Sequence, residues 1–175
     1  MSGEDLEIEL RLIEPSDKVT GLSLGHEDFA PLKAFIQKKA KIYQENSFAR
    51  TYGLFAGSKL IGYVTLICGE ILTETPQSVI PPDQVYEYKT FPAVKIARLA
   101  VDHRYRGKKL GEQLVSFSVG VVKNAIMPHV GCRFIVVDSK KSAVSFYEKV
   151  GFTLLNTPSN KALEQPVLYL DLLKV

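Results

Sequence analysis

The sequence predicts one mixed α/β (α+β) domain spanning residues 1–175. Three observations carry this. Short apolar and alternating segments of strand length are interleaved with two longer stretches of helical periodicity, the β-like arms 50–56 and 60–71 face each other across a short polar turn, and no internal repeat or low-complexity tract interrupts the order.

In chain order, EIELRLI (7–13) alternates apolar and charged residues as a half-buried strand does. From Glu27 to Asn46, Phe29, Leu32, Phe35, Ile36, Ala40 and Tyr43 recur at helical spacing, opposite a polar face with Lys33, Gln37, Lys38 and Lys41. RTYGLFA (50–56) and LIGYVTLICGEI (60–71), joined by Gly57, Ser58 and Lys59, predict a hairpin. Residues 72–92 hold Pro76, Pro81, Pro82 and Pro92, which argues against a long helix or central strand. That connection reads either as a substrate-side loop with a short helix at 83–88 or as a plain surface insertion.

AVKIARLAV (93–101) predicts a strand. Residues 110–127 predict a helix with Leu110, Leu114, Phe117, Val121 and Ala125 along one face, ended by Met127-Pro128 because proline disfavours helical geometry at the preceding residue. CRFIVVD (132–138) reads as a buried strand, and SAVSFYEKV (142–150) as a short helix closed by Gly151. FTLLN and PVLYLDLL supply the last two strands.

Hydrophobic residues at 46% and charged residues at 23% exclude a wholly disordered chain, and a net charge of +3 suits an anionic ligand without requiring nucleic acid. The N-terminus lacks a basic segment followed by an apolar run, and no apolar stretch approaches the ~20 residues of a membrane span, so a cytoplasmic protein without a membrane partner is expected. Cys68 and Cys132 lie in apolar segments without CxxC spacing or neighbouring histidines. Buried reduced thiols are expected, and no metal site.

The stretch RLAVDHRYRGKKLGEQLV (98–115) joins a strand to a helix through a glycine-bearing basic turn. A helix start leaves its first N–H groups without internal partners, and the macrodipole adds partial positive charge, so such a junction suits a phosphate. Gly107 and Gly111 allow close approach, while Arg104, Arg106, Lys108 and Lys109 add charge suited to a diphosphate. The alternative is a solvated basic turn. Neither GxxxxGK[ST] nor GxGxxG occurs, which disfavours a nucleotide-hydrolysing loop.

This stretch resembles the acyl-coenzyme A signature of the GNAT acetyltransferase superfamily, [QR]-x-x-G-x-[GA], with Arg104 and Gly107 at the first two fixed positions and Lys109 departing from the third. SFYEKVGF (145–152) resembles the superfamily's second signature, an aromatic-rich helix followed by Gly-Phe opening a strand. The resemblance implies the GNAT fold, a mixed, mostly antiparallel sheet of six to seven strands, splayed between the fourth and fifth and flanked by about four helices. It implies acetyl-CoA as co-substrate, with pantetheine along the backbone of Leu99, Ala100 and Val101 and the diphosphate on the amides from Arg106 through Gly107, Lys108, Lys109 and Leu110 to Gly111. The β-carbon of Lys109 is expected to crowd a place where the family prefers glycine or alanine. The outcome is either a modestly weaker site or a side chain swung out to a coenzyme phosphate.

By the same resemblance Tyr147 is the catalytic general acid that protonates the departing thiolate, its alternative being a core aromatic. Phenol and thiol have ordinary pKa values of about 10 and 8.5, which leaves a usable proton donor. Arg98 would shape the acceptor side. A general base is harder to find: the fourth strand offers only Lys95 and Arg98, and Glu70 and Glu87 stand at loop boundaries. An amine of pKa about 10.4 needs a base, whereas an α-amine at about 7.7 to 8.0 is already partly neutral, so the missing carboxylate favours an α-amine.

The runs 49–71, 94–115 and 131–152 and the closing LYLDLL look like the acetyltransferase toxins of bacterial toxin–antitoxin modules. That resemblance implies the α-amine of aminoacyl-tRNA as acceptor, tRNA and an antitoxin as partners and a homodimer as the assembly. Lys33, Lys38, Lys39, Lys41 and Arg50 would then meet tRNA phosphates, or else form an ordinary solvated face. A relative acetylating a small amine, peptide N-terminus or protein lysine stays open, as does a non-catalytic acetyl-CoA-binding regulatory protein.

Overall fold

The computed structural model describes residues 7–175, so the first six residues of the N-terminal reading lie outside them. The strands are β1 (Ile8–Leu12), β2 (Arg50–Ala56), β3 (Lys59–Leu72), β4 (Thr90–Val101), β5 (Phe134–Asp138), β6 (Thr153–Leu154) and β7 (Val167–Asp171). They form one seven-stranded sheet in the order β1-β2-β3-β4-β5-β7-β6. The β1–β2, β2–β3, β5–β7 and β6–β7 pairs are antiparallel, and β4–β5 is parallel. The parallel pairing joins Ala93–Lys95 to Phe134–Val136, and β4 runs on six residues further to Val101.

The helices are α1 (Ala30–Lys38), α2 (Ala40–Glu45), α3 (Leu110–Val121), α4 (Val144–Lys149) and α5 (Pro158–Ala162). By internal contacts the chain forms two compact units, one of the residues up to Ile67 with Ala97–Ser116, the other of Cys68–Ile96 with Phe117–Val175.

In the first unit, Ile13, Leu22, Phe35, Ile36, Phe55 and Tyr63 are core residues, with Phe29, Leu32 and Tyr43 packed against them, so the helical stripe reads correctly. The predicted single helix 27–46 is however broken. A 3-10 turn precedes α1, and Lys39 (φ −123°, ψ −31°) kinks the chain between α1 and α2 although neither proline nor glycine stands there. The α2 helix ends in a Schellman cap: Phe48 N–H donates to the Tyr43 carbonyl (2.8 Å) and Ser47 N–H to Gln44 (3.1 Å), with Ser47 left-handed at φ +59°. The β2–β3 hairpin turns at Gly57, φ +60°, as its two-residue loop requires.

In the second unit the core gathers Ile71, Phe91, Phe134, Val136, Leu155 and Tyr169. Phe134 stands edge-on to Phe91 (5.7 Å) and to Tyr169 (5.9 Å), and truncating so buried a ring costs about 3–5 kcal/mol. The helix expected at 83–88 does not form. Val85, Tyr86 and Tyr88 are poor helix formers, and Tyr86 instead stacks on Phe91 at 4.7 Å. The 72–92 connection thereby covers the start of β4, above a cleft of about 240 Å³ lined by Ile80, Tyr86, Phe91 and Arg133.

Further expectations are corrected. Cys68 is exposed, because β3 changes beyond Leu66 from continuous burial to alternation and Cys68 falls on the outward side; Cys132 is buried, and both are free thiols. The 110–127 helix ends as α3 at Val121 and continues as a wider π turn, Val122–Ile126, with Met127 N–H donating to Val122. Its buried stripe holds Leu110, Leu114, Val115, Ser118 and Val122, while Ala125 is exposed. The strand expected at 132–138 starts at Phe134, and FTLLN contributes only two strand residues, Thr153 and Leu154. The pattern reading also missed α5, whose N-cap Thr157 and N1 Pro158 are standard start signals; its buried Asn160 bonds the Leu155 and Val167 carbonyls and the Val167 N–H.

No helix among the described residues is long and apolar enough to cross a membrane.

Candidate active site

In the first unit, β4 delivers the chain at Val101 into Asp102, which is fully buried. Its carboxylate caps the 3-10 turn His103–Tyr105 by accepting the Arg104 N–H (3.0 Å), and it also accepts the Ser23 N–H (3.0 Å). The Arg104 guanidinium closes the pair from Nε (2.9 Å) and Nη2 (2.6 Å), while Nη2 also donates to Gly21 O. This fork, with the two backbone donors, holds the Asp102 carboxyl well below the usual carboxylate range. The side chain of the first signature residue therefore builds the loop, tying it to residues 21–23.

Arg106 Nη2 donates to Leu24 O at 2.8 Å. Next door, Gly25 has φ +79°, and a β-carbon there would meet His103 Cβ and Cγ at 3.1 Å, so glycine is required for that close approach.

Gly107 (φ +83°) and Lys109 (φ +57°) are both left-handed. Around Gly107 an added β-carbon would meet nothing, so its backbone angle rather than space selects glycine. At Lys109 the reason for the family's preference is likewise the backbone: a non-glycine residue in this conformation costs roughly 1–2 kcal/mol. The expected crowding is thus a dihedral strain, and the Lys109 side chain is exposed. Lys109 O accepts the Gln113 N–H (3.1 Å), the first bond of α3, and buried Leu110 anchors that helix start. Among the described residues, the N–H groups of Gly107, Lys108 and Lys109 receive no protein acceptor. Lys108 Nζ lies 5.5 Å from the Tyr105 ring centre, and Gly111 is half-buried in the first turn. The result is a positively charged bend of unpaired amides, suited to an anion.

On β4, Ala100 is buried in the core while Leu99 and Val101 are half-buried. Arg98 is half-buried, its Cζ 3.8 Å from the centre of the Phe35 ring. Of the predicted tRNA-facing cations, Lys33, Lys38 and Lys39 are exposed. Lys41 is instead engaged with the carbonyls of Pro15 (2.8 Å) and Asp17 (2.6 Å), and Arg50 donates to Gln44 O (2.7 Å) at the end of α2.

In the second unit, Tyr147 is 6% exposed on α4. Its position is set by a second Schellman cap: Phe152 N–H donates to Tyr147 O (2.9 Å), Gly151 N–H to Glu148 O (3.1 Å), and Gly151 takes φ +102°. The Phe152 ring packs at 5.4 Å from that of Tyr147, with Phe146 on another side at 5.1 Å. The Y-x-x-x-G-F part of the second signature is therefore a helix stop that fixes a tyrosine. Its hydroxyl makes no hydrogen bond among the described residues, and since no fully buried polar side-chain atom among them lacks a partner the oxygen keeps some access to solvent; burial of the side chain pushes its pKa above the ordinary value, so the proton is retained.

Glu70 lies inside β3 rather than at a loop boundary, and Glu87 is exposed in the 72–92 connection. The sequence reading missed Asp138, at the end of β5, which forms an ion pair with Lys95 of β4. Among the described residues no group of three His, Cys, Asp or Glu is placed to hold a metal ion.

The sequence pattern of the acetyltransferase (GNAT) domain matches residues 23–162, from the segment that ties down Arg104 to the end of α5. The chain belongs to the GNAT family. As a GNAT acetyltransferase it transfers an acetyl group from acetyl-CoA to an amine. This GNAT chain is 26% identical over 151 residues to the tRNA-acetylating toxin of Mycobacterium tuberculosis (strain ATCC 25618 / H37Rv), covering 84% of this chain and 85% of that protein. A crystal structure of a Tyr→Phe mutant of KacT aligns with TM-score 0.78 at 26% identity, over 95% of this chain and 96% of that one. AtaT complexed with acetyl-methionyl-tRNAfMet aligns with TM-score 0.78 over 96% of each chain; at 22% identity that likeness bears on the GNAT fold alone.

Proposed function

We propose that this GNAT chain, acting as a single acetyltransferase domain, acetylates the α-amine of aminoacyl-tRNA by direct attack on the thioester in a ternary complex. The observation that carries the reading is chemical: β4 bears Lys95 and Arg98 but no carboxylate, and of the carboxylates on its neighbours Asp138 of β5 is taken up by Lys95 and Glu70 of β3 is exposed near that strand's end. An acceptor that arrives largely protonated is poorly served, whereas an α-amine is partly neutral near pH 8 and an aminoacyl ester's amine is lower again. Support comes from the relatives: one is named a tRNA-acetylating toxin, and AtaT was solved with an acetylated aminoacyl-tRNA.

Acetyl-CoA supplies the activated acyl group. The amides from Gly107 to Gly111 hold its diphosphate, helped by the charges of Lys108 and Lys109, whereas the Arg106 N–H expected to join them is bonded to His103 O (3.3 Å). Leu99, Ala100 and Val101 offer the backbone of β4 to its pantetheine arm. Tyr147, neutral and unpaired, holds the proton that the leaving thiolate needs. Arg104 positions the loop through Asp102. Exposed Lys33, Lys38 and Lys39 meet RNA phosphates, while Lys41 and Arg50 keep the basic helices in place. The same likeness supports an antitoxin partner, as in the AtaT structure with the C-terminus of the antitoxin AtaR; a homodimer and a cytoplasmic location belong to the same proposal.

The test is thiol release from acetyl-CoA across charged tRNA, uncharged tRNA, lysine-bearing peptides and small amines. Release with charged tRNA alone is expected. Release only with ε-amines would overturn the reading, and coenzyme binding without release in any arm would favour a regulatory protein.

A further inference from the structure

The chain has six arginines, and five donate hydrogen bonds to protein oxygens: Arg11 to Asp17, Arg50 to Gln44, Arg104 to Asp102, Arg106 to Leu24 and Arg133 to Asp171. Arg98 is the exception. Among the described residues its guanidinium has no hydrogen bond or ion pair, and its one close partner is the face of the Phe35 ring at 3.8 Å.

This is an expensive arrangement unless something else meets the charge. Arg98 is half-buried on the strand face that also bears core residue Ala100, opposite a ring that is 3% exposed. The Tyr63 hydroxyl, which feels the Arg98 charge, does not accept from it but donates to Leu32 O at 2.7 Å. Partly desolvated charge is costly without a counter-charge, and the ring quadrupole offsets only a part. The contact also has a geometric effect: a guanidinium whose Cζ is held 3.8 Å over an aromatic ring has lost part of its rotamer freedom, so that two parallel bonds from its rigid fork to one anionic group cost little further side-chain entropy. A lysine at this position would lack both properties.

We infer that Arg98 is the anchor for an anionic group of the acceptor, a phosphate in the nucleotide end that carries the amine, and so confines this enzyme to phosphate-bearing acceptors. The inference rests on the proposed aminoacyl-tRNA reading, in which the pantetheine arm lies along the backbone of Leu99 to Val101 and the amine must reach its thioester. It accounts for an unpaired cation on a strand that has no carboxylate to offer an amine. The exposed lysines of α1 add sequence-independent attraction, whereas Arg98 fixes a single group.

The experiment compares wild type, Arg98→Met and Arg98→Lys for binding of the trinucleotide CpCpA and of its uncharged methylphosphonate analogue, by NMR titration at fixed salt. Acetyl-CoA affinity measured on each variant serves as the check on folding. Wild type is expected to prefer the charged trinucleotide by roughly 10- to 100-fold, as a charge-assisted hydrogen-bonded pair allows. Arg98→Met should abolish most of that preference, Arg98→Lys should recover part of it, and acetyl-CoA affinity should stay within about twofold across all three, since no coenzyme contact is assigned to this side chain. A wild type that binds neither probe, binds both alike, or keeps its preference in Arg98→Met overturns the inference. Acetylation of charged tRNA by wild type, measured in parallel, reports on the proposed reading separately: transfer without the Arg98 preference sinks this inference alone, and the preference without transfer sinks the acceptor reading alone.

Discussion

The Nη2 of Arg104 lies 2.6 Å from Oδ2 of Asp102, a fully buried carboxylate that also receives the backbone N–H groups of Ser23 and Arg104. The basic residue at the head of the acyl-coenzyme A signature is thus bound into the loop it builds. Asp102→Asn should lower unfolding free energy by about 3 kcal/mol, because it leaves a guanidinium and buried N–H groups poorly matched. Urea denaturation of both proteins checks this. Asp102 titrates below its ordinary value of 3.8 in the folded protein, so its contribution is complete at neutral pH and disappears only as pH falls below about 4. The difference between wild type and variant should therefore be flat from about pH 6 to 8 and shrink in acid.

Two helix stops of one design allow opposite substitutions. Gly151 at φ +102° ends α4 below Tyr147, and Ser47 at φ +59° ends α2 below Tyr43. Gly151→Ala should destabilise by about 1–2 kcal/mol, while Ser47→Gly should stabilise by about 0.5–1 kcal/mol after the entropy of glycine in the unfolded chain is counted. Thermal melts of the pair give the signs. Gly151→Ala should also reduce turnover, since it disturbs the residue that seats Tyr147, whereas Ser47→Gly should leave turnover unchanged.

Lys109 supplies a third test at the same backbone conformation. Lys109→Gly relieves the φ +57° strain and keeps the N–H, so stability should rise by about 0.5–1 kcal/mol. Calorimetry with acetyl-CoA should show affinity kept within about threefold, the lost side-chain charge being worth no more than an exposed ion pair. Gly107→Ala, strained at φ +83°, should weaken affinity by more than Lys109→Gly does.

Much of this was legible in the sequence because it is local. Gly57-Ser58 between two β-rich arms forms the hairpin, the stripe from Phe29 to Tyr43 faces the core, and Arg104, Gly107 and the helix after them form the charged bend. What escaped depends on contacts between distant segments. Asp102 reads as a plain loop residue until Ser23, 79 positions earlier, is placed beside it, and the engagement of Lys41 depends on carbonyls 24 and 26 residues away. Cys68 looked buried because its neighbours are apolar, yet strand alternation turns it outward. The α5 turn was overlooked although Thr157-Pro158 announces it, because five residues carry no periodicity.

The proposed acetyl transfer depends on Tyr147. Its hydroxyl is unpaired and its proton is held by burial, so Tyr147→Phe should leave acetyl-CoA affinity nearly intact and lower turnover by at least about tenfold. Because its pKa lies above the ordinary 10.0, the tyrosine stays protonated through neutral pH, and its loss as an acid is expected only in strong alkali. The decisive measurement is mass spectrometry of the aminoacyl-adenosine released from charged tRNA after incubation with acetyl-CoA and either protein. Aminoacyl-adenosine one acetyl group heavier is expected with wild type, and at least about tenfold less of it in the same time with Tyr147→Phe. Unmodified aminoacyl-adenosine with wild type, or equal rates of acetylation by the two proteins, would contradict it.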